Sequence, residues 1–144
     1  MKRFYRILSL FLAFTLAMAF PASAAVGNTV TPNASSVLLD YSATISATSS
    51  SQFKVTFSVQ GAQQLDTIGA SSITIYASSD GNNWSSIQTV SGLSGMTATK
   101  KTSYSSYVNF DGDGEFYYMA KVTIIGAKGS TTETRNVYTG TIHL

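Results

Sequence analysis

The sequence predicts an all-β protein: one antiparallel β-sandwich of about seven strands behind an N-terminal export helix. Three observations carry that prediction. Along residues 37–144 the apolar side chains recur at every second position, the period of half-buried strands. β-branched and aromatic residues fill these runs, while Ser, Thr, Gly, Asp and Asn fill the gaps between them. No window of the region carries the 3.6-residue period of a helix. Short strands with turn signals at regular spacing form a two-sheet sandwich, because each strand has one dry face to bury.

The N-terminus is of a different kind. Lys2, Arg3 and Arg6 precede an apolar run over residues 7–20 that only Ser9 and Thr15 interrupt. Pro21 stops a helix there, since it lacks an N–H and clashes with the preceding turn. Ala22, Ser23 and Ala24 then supply the small residues that signal peptidase requires, which predicts a signal peptide over 1–24 with cleavage after Ala24, and after Ala25 as the second choice. The run falls short of the roughly 20 residues that span a bilayer. No cysteine follows it to carry a lipid. Residues 25–36 (AVGNTVTPNASS) read as a flexible leader, and residues 37–144 as the sandwich domain. The last six residues carry no sorting motif and no hydrophobic tail, so the expected product is secreted, extracellular and monomeric, with no membrane contact once the leader is gone.

Charge narrows the function classes. The chain has 9 Lys and Arg against 7 Asp and Glu, but three of the basic residues, Lys2, Arg3 and Arg6, belong to the expected signal peptide. The remainder, six against seven, is close to neutral, and Lys100-Lys101 is its only basic doublet. Such a domain offers no footprint for nucleic acid or for an anionic membrane. The absence of cysteine rules out a disulfide scaffold and fits bacterial secretion. A domain of roughly 100 residues buries enough apolar surface without one.

The strands follow in order. The first has Leu39, Tyr41, Ala43 and Ile45 on its dry side and Asp40, Ser42 and Thr44 on the other. The second is the cleanest, with Phe53, Val55, Phe57 and Val59 alternating with Lys54, Thr56, Ser58 and Gln60. The third covers 72–78 with Ile73 and Ile75 inward, and the fourth covers 84–90. The fifth covers 104–110, with Tyr104, Val108 and Phe110 on one face. The sixth, 116–125, is so continuously apolar that it should be central and buried on more than one side. The seventh, 133–142, carries Glu133 and Arg135, charges that favour an edge. Between the third and fourth, Asp80-Gly81-Asn82-Asn83 tolerates positive φ and makes a hairpin turn.

Two resemblances attach to these residues. The stretch ITIYASSDGNNWSSIQTV at 73–90 resembles the strand–turn–strand of fibronectin type III-like and other bacterial extracellular sandwiches, and so implies an immunoglobulin-like fold. Tyr118, followed by Ala120, Lys121, Val122, Ile124 and Gly129, is similar to the sixth-strand pattern of those modules. Gly114 stands one residue further from Tyr118 than in that pattern, no proline precedes it, and no tryptophan marks the second strand. The match spans 68–130. The order Ile68-Gly69-Ala70-Ser71-Ser72-Ile73, Ile75-Tyr76, Asp80-Gly81, Trp84, Gly114 and Phe116-Tyr117-Tyr118 also resembles an uncharacterised family, a domain of unknown function, of small secreted Firmicutes proteins. That resemblance implies secretion and no activity.

Catalytic equipment is sparse. A Ser-His-Asp arrangement needs a histidine held by a carboxylate, and the single histidine, His143, lies next to the last residue, where fraying is expected. His/Cys metal chemistry lacks ligands. The expectation is a non-enzyme with no cofactor. Asp111, Asp113 and Glu115, spaced by Gly112 and Gly114, form a weak calcium candidate, although the spacing is not that of an EF-hand loop. Asn82, Asn83 and Trp84 suit a carbohydrate, because sugars stack on aromatic faces while amides supply hydrogen bonds. Against this, a tryptophan just after a hairpin turn more often packs on a sheet face, with its N–H finding a partner. Tyr107, out of phase with Tyr104 and Val108, is the expected exposed aromatic. Tyr117 or Tyr118 is placed to bond back to the preceding turn as a tyrosine corner. The reading is an extracellular binding module for a protein or glycan, with strand addition at the seventh strand or sugar binding at the hairpin as routes.

Overall fold

The computed structural model describes residues 36–144; the signal peptide expected over 1–24 with cleavage at Ala24, and the expected leader apart from Ser36, lie outside the described residues. Nine strands follow in chain order: β1 (Leu38–Ser49), β2 (Gln52–Leu65), β3 (Thr67–Ser78), β4 (Ser85–Ser91), β5 (Thr97–Ala98), β6 (Lys101–Asp111), β7 (Tyr117–Lys128), β8 (Thr131–Tyr138) and β9 (Ile142–His143). One sheet has the order β1-β2-β6 and the other β4-β3-β7-β8, with the two-residue β5 on β3 and β9 on β7. Every pairing is antiparallel.

The two sheets pack their apolar faces into a single core, a β-sandwich. β2 supplies Phe53, Val55, Phe57 and Val59, β3 supplies Ile73 and Ile75, and β7 supplies Tyr118, Ala120, Val122 and Ile124, all buried. Phe53 stacks between two rings, with centroid distances of 5.6 Å to Phe110 and 4.8 Å to Tyr118. Burial of each large side chain here stabilises the fold by ~1.5–3 kcal/mol.

Bulges account for where the strands differ from the alternation. At the start of β1 the register shifts between Leu38 and Asp40, so one extra residue enters the strand. Leu38 turns inward at 2% exposure and Leu39, expected inward, stands 53% exposed. β3 starts five residues before the expected 72, because a second shift between Ala70 and Ser72 reverses its phase. Ile68 and Ala70 on one side of that bulge, and Ile73 and Ile75 on the other, therefore all point inward. Ser71, the extra residue, donates its hydroxyl to the Thr123 carbonyl at 3.1 Å.

β7 is central, but only one of its faces is sealed, since Met119, Lys121, Thr123 and Ile125 are half-buried. The seventh strand of the sequence reading is split into β8 and β9. At the break, Thr139 N–H donates to the Ala120 carbonyl and Ala120 N–H donates to Thr139 Oγ1, each at 2.9 Å. His143 is paired with Tyr117 in β9, their rings 4.4 Å apart, so the fraying expected there is replaced by strand.

Turns gather at two ends. At one, Gly112 N–H bonds the Ser51 carbonyl at 2.8 Å and Leu144 N–H reaches the Phe116 carbonyl at 3.4 Å. At the other, Asp66 alone joins β2 of one sheet to β3 of the other. Its N–H bonds the Ala127 carbonyl at 2.8 Å. Its carboxylate accepts Gly129 N–H at 2.8 Å and the Lys100 ammonium, with Lys128 3.9 Å away. These donors, Lys100 first, lower the Asp66 carboxyl to about 2. Beside it, Gly69 adopts φ 145°, and a Cβ there would lie 2.2 Å from the Met96 carbonyl oxygen. That carbonyl accepts Ala70 N–H at 2.8 Å, so the close approach is part of the pairing.

Candidate functional site

The hairpin between β3 and β4 is organised by Asp80. Its Oδ1 accepts the N–H groups of Asn82 and Asn83, each at 2.8 Å, and the Ser78 hydroxyl at 2.8 Å. Its Oδ2 accepts the Asn83 side-chain amide at 2.7 Å, and the Asn82 amide donates to the Asp80 carbonyl at 3.0 Å. The backbone N–H of Asn83, then that of Asn82, hold the Asp80 carboxyl well below the usual carboxylate range. Of the turn residues only Gly81 takes positive φ, at 72°. Asn82 and Asn83 are therefore turn-forming groups whose amides point back into the chain. Trp84 is half-buried at the foot of β4.

The connection from β6 to β7 holds the three acidic candidates. Asp111 accepts the Gln52 side-chain amide at 3.0 Å, and Asp113 Oδ1 accepts Glu115 N–H at 3.1 Å. Among the described residues no three Asp, Glu, His or Cys side chains come together to hold a metal ion, so Asp111, Asp113 and Glu115 do not converge. The turn is tied by Tyr118 instead, whose hydroxyl accepts Asp113 N–H at 2.6 Å. Of the two tyrosines open in the sequence, Tyr118 makes the corner.

Tyr107 is 59% exposed on the outward face of the three-stranded sheet, opposite Thr56, with the Lys54 ammonium 5.9 Å from its ring centre. It stands apart from the other aromatics considered. Phe110 is buried, and Tyr104, half-buried, donates its hydroxyl to the Gly95 carbonyl at 2.8 Å. Tyr107 and the Asn82, Asn83 and Trp84 hairpin thus belong to different sheets and form no common site.

A face not anticipated from sequence lies on the outside of the six-stranded sheet. Tyr76 pairs with Met119, and Tyr138 pairs with Lys121 two residues along the same strand. All four point away from the core, because Ile75, Ala120, Val122 and Val137 occupy the inward phase. Tyr138 is 58% exposed, and Tyr76, Met119 and Tyr117 are half-buried. The signal was present in the strand phases, but it becomes a stripe only when the register brings three strands together.

β8 is the terminal strand of its sheet, as Glu133 and Arg135 suggested, but its edge is not bare. Both side chains turn inward and pair with each other. Arg135 Nη1 donates to the Thr134 carbonyl at 3.0 Å, and Glu133 Oε2 accepts Leu38 N–H at 3.3 Å. Comparison of the chain with protein-family models, with curated protein sequences and with solved structures finds no match.

Proposed function

We propose that this chain is an exported immunoglobulin-like, fibronectin type III-like sandwich that serves as a non-enzymatic extracellular binding module. The charge, apolar run and small residues of positions 1–24 support export. Support for the fold type comes from the strand partition. The first, second and fifth long strands share one sheet, and the third, fourth, sixth and seventh share the other. Immunoglobulin-type domains with an added fourth strand divide in this way. The Tyr118 corner supports the same reading. The resemblance to small secreted Firmicutes proteins agrees with it.

The observation that carries the binding role is the outward stripe of Tyr76, Met119 and Tyr138. Tyrosine and methionine are enriched where proteins recognise partners: tyrosine offers a large area with few rotatable bonds, and methionine an adaptable, polarisable one. The partner is an extracellular protein or a glycan. The Asn82 and Asn83 hairpin draws less support as the sugar site, since its amides are committed to Asp80.

Arrays of glycans and of purified surface proteins, probed with the exported chain, test this. Specific capture that falls at least about tenfold in Tyr138→Ser, with an unchanged unfolding temperature, is the expected result. Capture indifferent to Tyr138→Ser would remove the face, and no specific capture on either array would remove the role.

A further inference from the structure

We propose that β4 is a self-pairing edge through which two copies of this chain associate, β4 antiparallel to β4, in place of the monomer expected from sequence. A terminal strand presents unpaired N–H and C=O groups, and folded proteins guard such strands with charge, bulges or cover. Among the described residues the long terminal strands are β1, β6, β4 and β8; β5 and β9 also pair on one side only but are 2 residues each, too short to offer an edge. Three are guarded. On β1, Asp40 Oδ1 accepts the next N–H, of Tyr41, at 2.9 Å, and bulges interrupt the strand near both ends. β6 carries Lys101 and Asp111, and Tyr104 donates across to the Gly95 carbonyl in the segment beside it. β8 turns Glu133 and Arg135 inward and caps the Thr134 carbonyl.

β4 is different in kind. Its sequence SSIQTVS holds no charge and no proline, and among the described residues no side chain bonds its backbone. Its one irregularity is a bulge at Ile87, between the pairs Ile75–Gln88 and Tyr76–Ser86, which leaves residues 88–91 as regular strand. Ile87 itself is 55% exposed.

The occupant follows from charge and symmetry. A two-fold axis places a neutral strand against an identical neutral strand, with no like charges opposed. Thr89 lies in the middle of the regular stretch, at or beside the axis, with its hydroxyl 3.1 Å from that of Thr74 on the outward face. A pairing no longer than the 7 residues of β4 buries less than the roughly 1,000 Å² of a stable interface. The dimer is therefore weak, populated on the order of 100 µM.

Sedimentation of the exported chain from about 10 µM to about 1 mM reads the association. The wild-type mass should rise toward the dimer. Thr89→Lys and Thr89→Glu should each stay monomeric, because each opposes like charges across the axis, and an equimolar mixture should associate again. That recovery also shows both variants folded. A wild type that remains monomeric at every concentration overturns the proposal. So does a Thr89→Lys chain that still dimerises, which would locate the contact elsewhere, or a mixture that fails to recover.

Discussion

The hydroxyl of Tyr118 lies 2.6 Å from the amide nitrogen of Asp113 and 3.3 Å from its carbonyl oxygen, five residues upstream. The ring of the same side chain stacks on Phe53, 4.8 Å between centroids. One residue thus anchors the β6–β7 connection to the core through both its polar and its apolar parts. Tyr117, one position earlier, faces outward against His143 and has no access to that turn.

Tyr118→Phe keeps the ring and deletes the hydroxyl, which removes the partner of a part-buried N–H. A loss of ~1–2 kcal/mol in urea unfolding is expected. Tyr118→Ala also removes the stacked ring and should cost about 3–5 kcal/mol. A Phe variant as stable as the wild type would show that the corner bond contributes nothing.

Gly69 and Gly92 separate strain from collision. Both have positive φ, at 145° and 67°, but a Cβ on Gly92 meets nothing within 4 Å, whereas one on Gly69 lies 2.2 Å from the Met96 oxygen. Gly92→Ala should cost about 1 kcal/mol of backbone strain. Gly69→Ala must also displace the Met96 carbonyl from Ala70 N–H and should cost more than ~3 kcal/mol. Thermal unfolding of the two variants side by side measures the difference.

What was legible in the sequence was the part that physics makes strictly periodic. Between Phe53 and Val59 the β1–β2 and β2–β6 pairings run without a shift, so apolar alternation and burial coincide. A bulge adds one residue without altering composition. Leu38-Leu39 reads equally well with either leucine inward, and only the register with Gly61 and Gln60 decides between them. The opening of β3 was lost for a related reason: Gly69-Ala70-Ser71 looks like a turn, yet it is a strand crossed closely by Met96. Among the site residues, Tyr107 was placed correctly as exposed because its phase on β6 is unbroken. The Tyr76, Met119 and Tyr138 stripe was not legible, since cross-strand neighbours are set by register and not by order along the chain.

Acid should loosen both ends of the sandwich. Asp66 falls from 3.8 to about 2 in the folded chain, so the folded state binds this proton less tightly than the unfolded one. Its contribution is complete above pH 3.8 and is lost as pH drops from 3.8 through about 2. Asp80 shifts in the same direction through its turn N–H groups, and its contribution disappears over the same acid range and below. Urea midpoints measured from about pH 5 down to about pH 2 should fall for the wild type and fall less steeply for Asp66→Asn. Equal slopes would mean that the contacts with Lys100 and Gly129 do not hold the crossover in solution.

Glu133 links stability to edge protection. Its carboxylate accepts Leu38 N–H, joining β8 of one sheet to β1 of the other, and pairs with Arg135 on the inward side of the strand. Glu133→Ala removes this acceptor and the counter-charge of Arg135, whose side chain is already 38% exposed and is then free to turn to solvent. The cost should be about 1–3 kcal/mol. Glu133→Gln retains an acceptor for Leu38 and should recover part of it. The Ala variant should also aggregate faster at equal unfolded fraction, because Arg135 would swing to solvent and leave the β8 edge open to pairing. Light scattering at matched stability separates the two effects. Aggregation that tracks stability alone, identical for Glu133→Ala and for an equally destabilised core variant such as Val55→Ala, would mean that the inward ion pair stabilises β8 without shielding its edge.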